Sequence, residues 1–232
     1  TCLKCGKKAL TYCIDVPRLN RNDFVIAAVL FGVMWIAGMS YVGTGKVVPS
    51  FYQSELAPAV MQACGKGFVN PAPGSIPSLD DFLQLRKPSF TCADIPAVIT
   101  QININSLQGS SRYLYGAISA TWKFIGIISW SALLPLYGLL LGLTAVISYL
   151  LCRMGICRPL ALAGAGLFIL SNPTLSYLPH LRDYAKAPFI LSLIFLLATM
   201  VVRPISSRSM IGLSALSGAV LGMGLGFRMD LL

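Results

Sequence analysis

Residues 24–45, FVIAAVLFGVMWIAGMSYVGTG, form an uncharged run of 22 residues, and their reading decides the fold. A bilayer core of about 30 Å takes roughly 20 apolar residues of helix, because a helix pairs its own backbone polar groups where water is absent. Four further uncharged runs follow, Phe124–Cys152, Pro159–Leu181, Ala187–Val202 and Ser209–Phe227, of 29, 23, 16 and 19 residues. The run of 16 is short for a span, but its helix can begin in the polar segment before it, with Lys186 snorkelling to the interface. The pattern predicts an all-α fold, a polytopic transmembrane helix bundle of five spans. Composition agrees, with 56% hydrophobic residues, 11% charged residues and a mean hydropathy of +0.73.

The basic residues set the expected orientation. Lys4, Lys7, Lys8, Arg18 and Arg21 precede the first run, Arg153 and Arg158 flank the turn after the second, and Arg203 and Arg208 flank the turn after the fourth. With spans alternating, all nine fall on one side, accompanied by Asp15 and Asp23, and that side is read as the cytoplasm. Residues 1–22 are then a cytoplasmic N-terminal segment, 23–43 the first span, 44–123 an external loop and 124–232 four further spans. The compact turns suit a bacterial inner membrane. The net charge of +10 is scattered through short loops and forms no basic stripe with interleaved aromatics, which argues against a nucleic-acid partner and for contact with anionic headgroups of membrane lipids.

Cysteines follow the same partition. Cys64 and Cys92 lie in the external loop, where a disulfide and two free thiols are both open readings, while Cys2, Cys5, Cys13, Cys152 and Cys157 fall on the reducing side. Cys2-x-x-Cys5 is half a zinc site with no second CxxC or histidine nearby, so ordinary cytosolic thiols are the better reading. The chain begins at Thr1 and ends at Leu232 directly after an apolar run, and the expectation is an N-terminal fragment of a longer protein.

The segment of 80 residues from Thr44 to Lys123 is too long for a passive turn and too polar to cross a membrane. NPAPGSIP, residues 70–77, divides it into two short helical pieces: Ser54 to Cys64, capped by its first Ser, and one beginning at Ser78 with Asp81 three residues on. Asp80 and Asp81 are read as helix-cap charges rather than a catalytic pair. Between Ser111 and Lys123, Tyr113, Leu114, Ala117, Ile118 and Trp122 follow a helical period suited to the membrane interface. Gly138 and Gly142, then Gly218, Gly222 and Gly226, recur at four-residue spacing, which lets helix backbones approach closely.

Charges at the outer span ends carry the candidate chemistry, since ions near hydrocarbon are costly and tend to be paired or functional. Three clusters fall on the outer side: Glu55 after the first span, Arg182, Asp183 and Lys186 between the third and fourth, and Arg228 with Asp230 after the fifth. Arg182 and Lys186, four apart, share a helix face, with Asp183 placed to hold them. Two fixed cations there suit a phosphate headgroup, and the alternative is a basic loop that anchors helix ends. His180 is the only histidine and lacks the companions a metal site needs.

The stretches SNPTLSYLPHLRDYAKAPFILSLIFLLATMV (Ser171–Val201) and SGAVLGMGLGFRMDLL (Ser217–Leu232) resemble the third to fifth spans of membrane glycosyltransferases with the GT-C fold, in the protein O-mannosyltransferase and aminoarabinose-transferase branch. The outline from Asp23 onward is similar too: one span, a long external loop with interfacial helices, then spans joined by short turns. The resemblance implies transfer of a sugar from a polyprenyl-phosphate donor to an acceptor at the outer membrane face. It assigns Glu55 as the carboxylate that acts on the acceptor, and Arg182, Asp183, Lys186, Arg228 and Asp230 to the substrate. The family commonly has Asp-Glu where this chain has Ser54-Glu55, so one acidic group is lost and a divalent metal is left without support; no cofactor is implied. The competing reading is a non-enzymatic transporter or assembly subunit. A transporter more often carries ionisable residues mid-span, and these runs hold none there.

Overall fold

The computed structural model describes residues 19–44 and 55–227. Arg228, Asp230, Ser54 and the Cys2, Cys5 and Cys13 thiols lie outside the described residues. The described residues are mostly helical, and among them four helices are long and apolar enough to cross a membrane: Arg21–Gly43, Ser131–Arg153, Leu181–Val202 and Ser207–Phe227.

Helix α1 (Arg21–Gly43) starts from a reciprocal cap, in which Asn20 Oδ1 accepts the Asp23 N–H and Asp23 Oδ2 accepts the Asn20 N–H at 2.9 Å. It lies along a second long helix, Leu134–Arg153, at a separation that glycine makes possible. A methyl group on Gly138 would run into the Trp35 ring and carbonyl, and one on Gly142 would sit 2.9 Å from the Phe31 ring. Trp35 Nε1 donates to the Pro135 carbonyl at 3.0 Å, using a carbonyl close to the proline-started first turn. Gly218 and Gly222, expected to serve the same purpose, face open space, whereas Gly226 packs beneath the Tyr113 ring.

The segment after α1 folds into its own packed layer rather than a strand of loop. Helices α2 (Ala57–Ala63), α3 (Pro77–Leu83), α4 (Ser106–Ser110) and α5 (Arg112–Ile125) are joined by two short antiparallel pairs. In one, β1 (Asn70–Pro71) meets β3 (Gln101–Ile102); in the other, β2 (Ser89–Phe90) meets β4 (Ile128–Ser129). Helix α3 starts at Pro77 behind Ile76 without a side-chain cap, so Ser78 does not cap it. Asp80 Oδ2 instead accepts the Gly74 N–H at 2.8 Å, and Asp81 pairs with Arg86 at 2.9 Å. Phe82 stacks on Trp130 with ring centroids 4.7 Å apart, and Trp122 packs edge-on to both. Both indoles are satisfied, Trp122 by the Ser129 carbonyl and Trp130 by the Phe82 carbonyl. Helix α5 ends at Gly126, whose φ of +80° supplies the left-handed cap.

Cys64 and Cys92 are joined in a disulfide that ties α2 to the turn after β2. Closing a loop over a sequence separation of 28 is worth about 3 kcal/mol in the chain-entropy account. Cys64→Ser is therefore expected to lower the midpoint of thermal unfolding in detergent, read by tryptophan fluorescence, and reduction of the native protein should reproduce the shift. An unchanged midpoint in both would show that the layer is held by its aromatic core alone.

Helix α6 (Leu134–Arg153) carries the core downward, and the third apolar run then divides into α7 (Arg158–Ile169), α8 (Asn172–Tyr177) and α9 (Leu181–Tyr184). The break has a local cause. Ser171 donates to the Phe168 carbonyl at 2.7 Å and caps α8, and Pro173 in the first turn of α8 cannot continue the preceding ladder. At a rise of about 1.5 Å per residue, α7 alone falls short of a bilayer core. Helix α10 (Ala187–Val202) prolongs the direction of α9, giving the apolar length of 22 residues from Leu181 to Val202, and α11 (Ser207–Phe227) packs beside it.

Candidate functional site

Two cavities are lined by consecutive residues, Leu56 in the first and Glu55 in the second. The first, of ≈30 Å³, is walled by Leu56, Tyr115, Trp130, Tyr137, His180 and Arg182 among others. Its walls are aromatic and aliphatic, with cationic chemistry entering from Arg182 on α9. His180 Nδ1 hydrogen-bonds the Ser176 carbonyl at 3.1 Å, which turns the ring toward the end of α8.

The second cavity, of ≈280 Å³, has Glu55, Asp80, Asn70, Asn105 and Gln108 on its walls. Its polar groups hold one another. Asn105 caps α4 by accepting the Gln108 N–H at 2.7 Å, and Gln108 Oε1 accepts the Asn105 N–H at 3.2 Å and the Asn70 amide at 2.9 Å. With its carbonyl so used, Asn105 turns its amide nitrogen to Glu55 Oε2 at 2.9 Å. The helix cap of α4 therefore orients the Glu55 carboxylate. Carboxylates and side-chain amides in one wall can each accept or donate to hydroxyl groups, the chemistry a polyhydroxylated ligand requires.

Tyr115, on α5, is 0% exposed and feels both the Glu55 and the Arg182 charge. Burial pushes its phenol up to about 12, the Arg182 guanidinium acts to lower it and the Glu55 carboxylate to raise it. The group is a neutral hydroxyl at physiological pH. Its Oη has no hydrogen-bond partner among the described residues, and the same holds for Ser111 Oγ and Ser119 Oγ, one turn to either side on α5. A buried hydroxyl without a partner costs about 1–3 kcal/mol.

Of the residues singled out in the sequence, Arg182 lines the first cavity and Glu55 the second. Asp183 and Lys186 are half-buried beside Arg182 but are not among the residues that wall either cavity. Arg228 and Asp230 fall outside the described residues, and among the described residues no group of three His, Cys, Asp or Glu side chains is placed to hold a metal ion. Tyr115, Asn105 and Gln108 carry no signal in the sequence beyond polarity; only Asn105 followed three residues later by Gln108 spells a helix cap.

A second polar centre sits at the opposite end of α1. Asp23 is fully buried and its Oδ1 accepts from Tyr149 Oη at 3.0 Å, Arg153 Nε at 3.0 Å and Arg158 Nε at 2.9 Å. Arg153 also donates to the Ile156 carbonyl at 2.9 Å, and Arg158 to Asn20 Oδ1. One carboxylate thus joins the starts of α1 and α7 to the end of α6. Asp23, Arg153 and Arg158 read in the sequence as orienting charges; the i, i+4 spacing of Tyr149 and Arg153 was the available sign of a shared face.

Compared with protein-family profiles, curated proteins and solved structures, the chain matches none.

Proposed function

We propose that the chain belongs to an integral-membrane glycosyltransferase of the GT-C kind, which moves a sugar from a polyprenyl-phosphate donor to an acceptor hydroxyl at the outer face of a bacterial inner membrane. In this reading the N-terminus is cytoplasmic, residues 44–123 are external, and α7 with α8 makes the third of five crossings. The observation that carries it is that consecutive residues line two unlike cavities, Leu56 an aromatic one that Arg182 also lines and Glu55 one rich in carboxylates and side-chain amides.

The donor's phosphate is met by Arg182 beside the first cavity, and the second cavity takes the acceptor. Glu55 accepts the proton of the acceptor hydroxyl while that oxygen bonds to the anomeric carbon. The bond from that carbon to the phosphate oxygen breaks, and its electron pair leaves with the polyprenyl phosphate. Arg182 and Lys186 offset the charge that develops there, Asp183 steadies them, and Arg228 and Asp230, which lie outside the described residues, are assigned to the same substrate. Polyprenyl phosphate is a competent leaving group, so positioning supplies much of the acceleration.

The test is native mass spectrometry of the protein purified in mild detergent and incubated with a polyprenyl-phosphate sugar. The wild type is expected to retain the donor and Arg182→Ala to lose it. Equal retention by both, with the variant folded, would remove the phosphate role of Arg182. Retention by neither would turn the assignment toward a transporter or assembly subunit.

A further inference from the structure

The uncharged run that begins at Phe124 enters a long apolar helix only at Ser131. The residues before it form a tight tip in which Lys123, Phe124, Ile125, Gly126 and Ile127 are all exposed, Phe124 by 93%, Ile127 by 57% and Ile125 by 38%. Trp122 and Ile128 on either side are buried, and the tip is fixed from within. The Gly126 N–H donates to the Trp122 carbonyl at 2.8 Å, Trp122 Nε1 donates to the Ser129 carbonyl at 2.8 Å, and Ile128 pairs with Phe90 between β4 and β2. Three large apolar side chains are thus displayed on a held turn instead of folding back onto the core, the mark of a surface that meets a partner.

The course of α5 identifies what lies beside the tip. Its first turn packs at the end of α11, where Tyr113 covers Gly226, and its last turn reaches the residues that lead into α6 through Trp122 and Ser129. Those two helix ends belong to the same end of the bundle. Phe227, closing α11, meets Phe189 in the first turn of α10, and Thr199 near the end of α10 donates to Met154 Sδ just past the end of α6, so α10 and α6 run in the same direction. Helix α5 therefore lies across the helix ends, and the tip that follows it sits where α6 enters hydrocarbon. The periodic side chains Leu114, Ile118 and Trp122 are buried in the packed layer, so contact with lipid falls to the tip.

We propose that Phe124, Ile125 and Ile127 are a membrane anchor, seated in the boundary between headgroups and acyl chains of the leaflet on the side where α6 begins, with Lys123 meeting lipid phosphate. Irregular backbone does not enter the hydrocarbon core facing lipid, which limits the tip to the interfacial depth of about 5–10 Å that amphipathic elements reach. A lysine at its edge has the stem to lie along apolar surface while its ammonium stays among the phosphates. The anchor holds whether or not the cavities serve sugar transfer.

The experiment puts one probe on the tip. Phe124→Trp, in the whole chain, is reconstituted in lipid nanodiscs of phosphatidylcholine and phosphatidylglycerol, and its emission is taken as the difference from wild type so that Trp35, Trp122 and Trp130 subtract. The added emission is expected to be quenched by phosphatidylcholine brominated near the carboxyl end of its acyl chains, and little by acrylamide in the water. Combining Lys123→Glu with it should lessen the quenching by lipid, and more so as the share of phosphatidylglycerol rises. Strong quenching by acrylamide with none by brominated lipid would place the tip in water and overturn the anchor. Shielding from both quenchers would place it against protein, a second copy of the chain, and overturn it equally. Quenching by lipid that ignores both Lys123→Glu and phosphatidylglycerol would overturn the phosphate contact and leave the apolar anchor standing. Ile127→Trp repeats the measurement from the other side of Gly126, so a Phe124→Trp protein that fails to fold still leaves the anchor open to refutation.

Discussion

Asp23→Ala is expected to destabilise the protein by about 3–5 kcal/mol, because removing one partner of a buried ion pair leaves the other charge without compensation. The carboxylate is fully buried and its principal partner, Arg153, is 8% exposed, so neither is well screened by water. Three donors from two helices converge on Asp23 Oδ1, and the variant strips all three of their acceptor at once. The capping interaction with Asn20 is lost with it. Reversible unfolding in mixed micelles, followed by tryptophan fluorescence, measures the change. Asp23→Asn should fall between wild type and Asp23→Ala, since it keeps an acceptor but no charge. Pairing Asp23→Leu with Arg153→Met should recover part of the loss, as apolar replacements of buried ion pairs often do. A change below about 1 kcal/mol for Asp23→Ala would place the cluster in the range of exposed pairs and show that packing alone joins α1 to α6.

What could be read from the sequence divides along physical lines. The long helices α1, α6, α10 and α11 announce themselves because lipid or a helix neighbour leaves no place for charge, and an uncharged run is visible in one dimension. The third run is just as uncharged, yet Ser171 and Pro173 divide it, and that depends on a hydroxyl reaching back to the Phe168 carbonyl. Glu55 and Arg182 were legible as charges at helix ends. Their neighbours were not: Tyr115 has the spacing of any buried aromatic on an amphipathic helix, and Asn105 and Gln108 lie in a stretch without periodicity. Asp23 was visible only as an acid accompanying the basic residues, since its partners Tyr149, Arg153 and Arg158 lie 126 to 135 positions away and only tertiary structure collects them. Ser78 failed as a cap because Pro77 had already begun the helix, which freed Asp80 to bind the Gly74 N–H and Asp81 to pair with Arg86.

Glu55→Gln is the substitution expected to reduce transfer most, by about 10²–10⁴-fold, the range a positioned general base contributes. The variant is close to isosteric and keeps an amide oxygen that can go on accepting from Asn105, now at 2.9 Å from the carboxylate, so the turn at Glu55 should hold its shape. What it loses is the ability to take a proton. Donor retention, which the proposed function assigns to Arg182, should therefore persist while turnover falls, and measuring both on one preparation separates the two roles. Asn105→Ala provides the control on orientation: it leaves Glu55 ionisable but unheld, and its turnover should lie between those of wild type and Glu55→Gln. Transfer by Glu55→Gln within about threefold of wild type would exclude general-base work at this position, for which a loss of at least about a hundredfold is expected. Glu55 would then be a structural partner of the α4 cap, and the proton acceptor would have to be sought elsewhere in the amide-lined cavity, beginning with Asp80, whose carboxylate lies in the same wall.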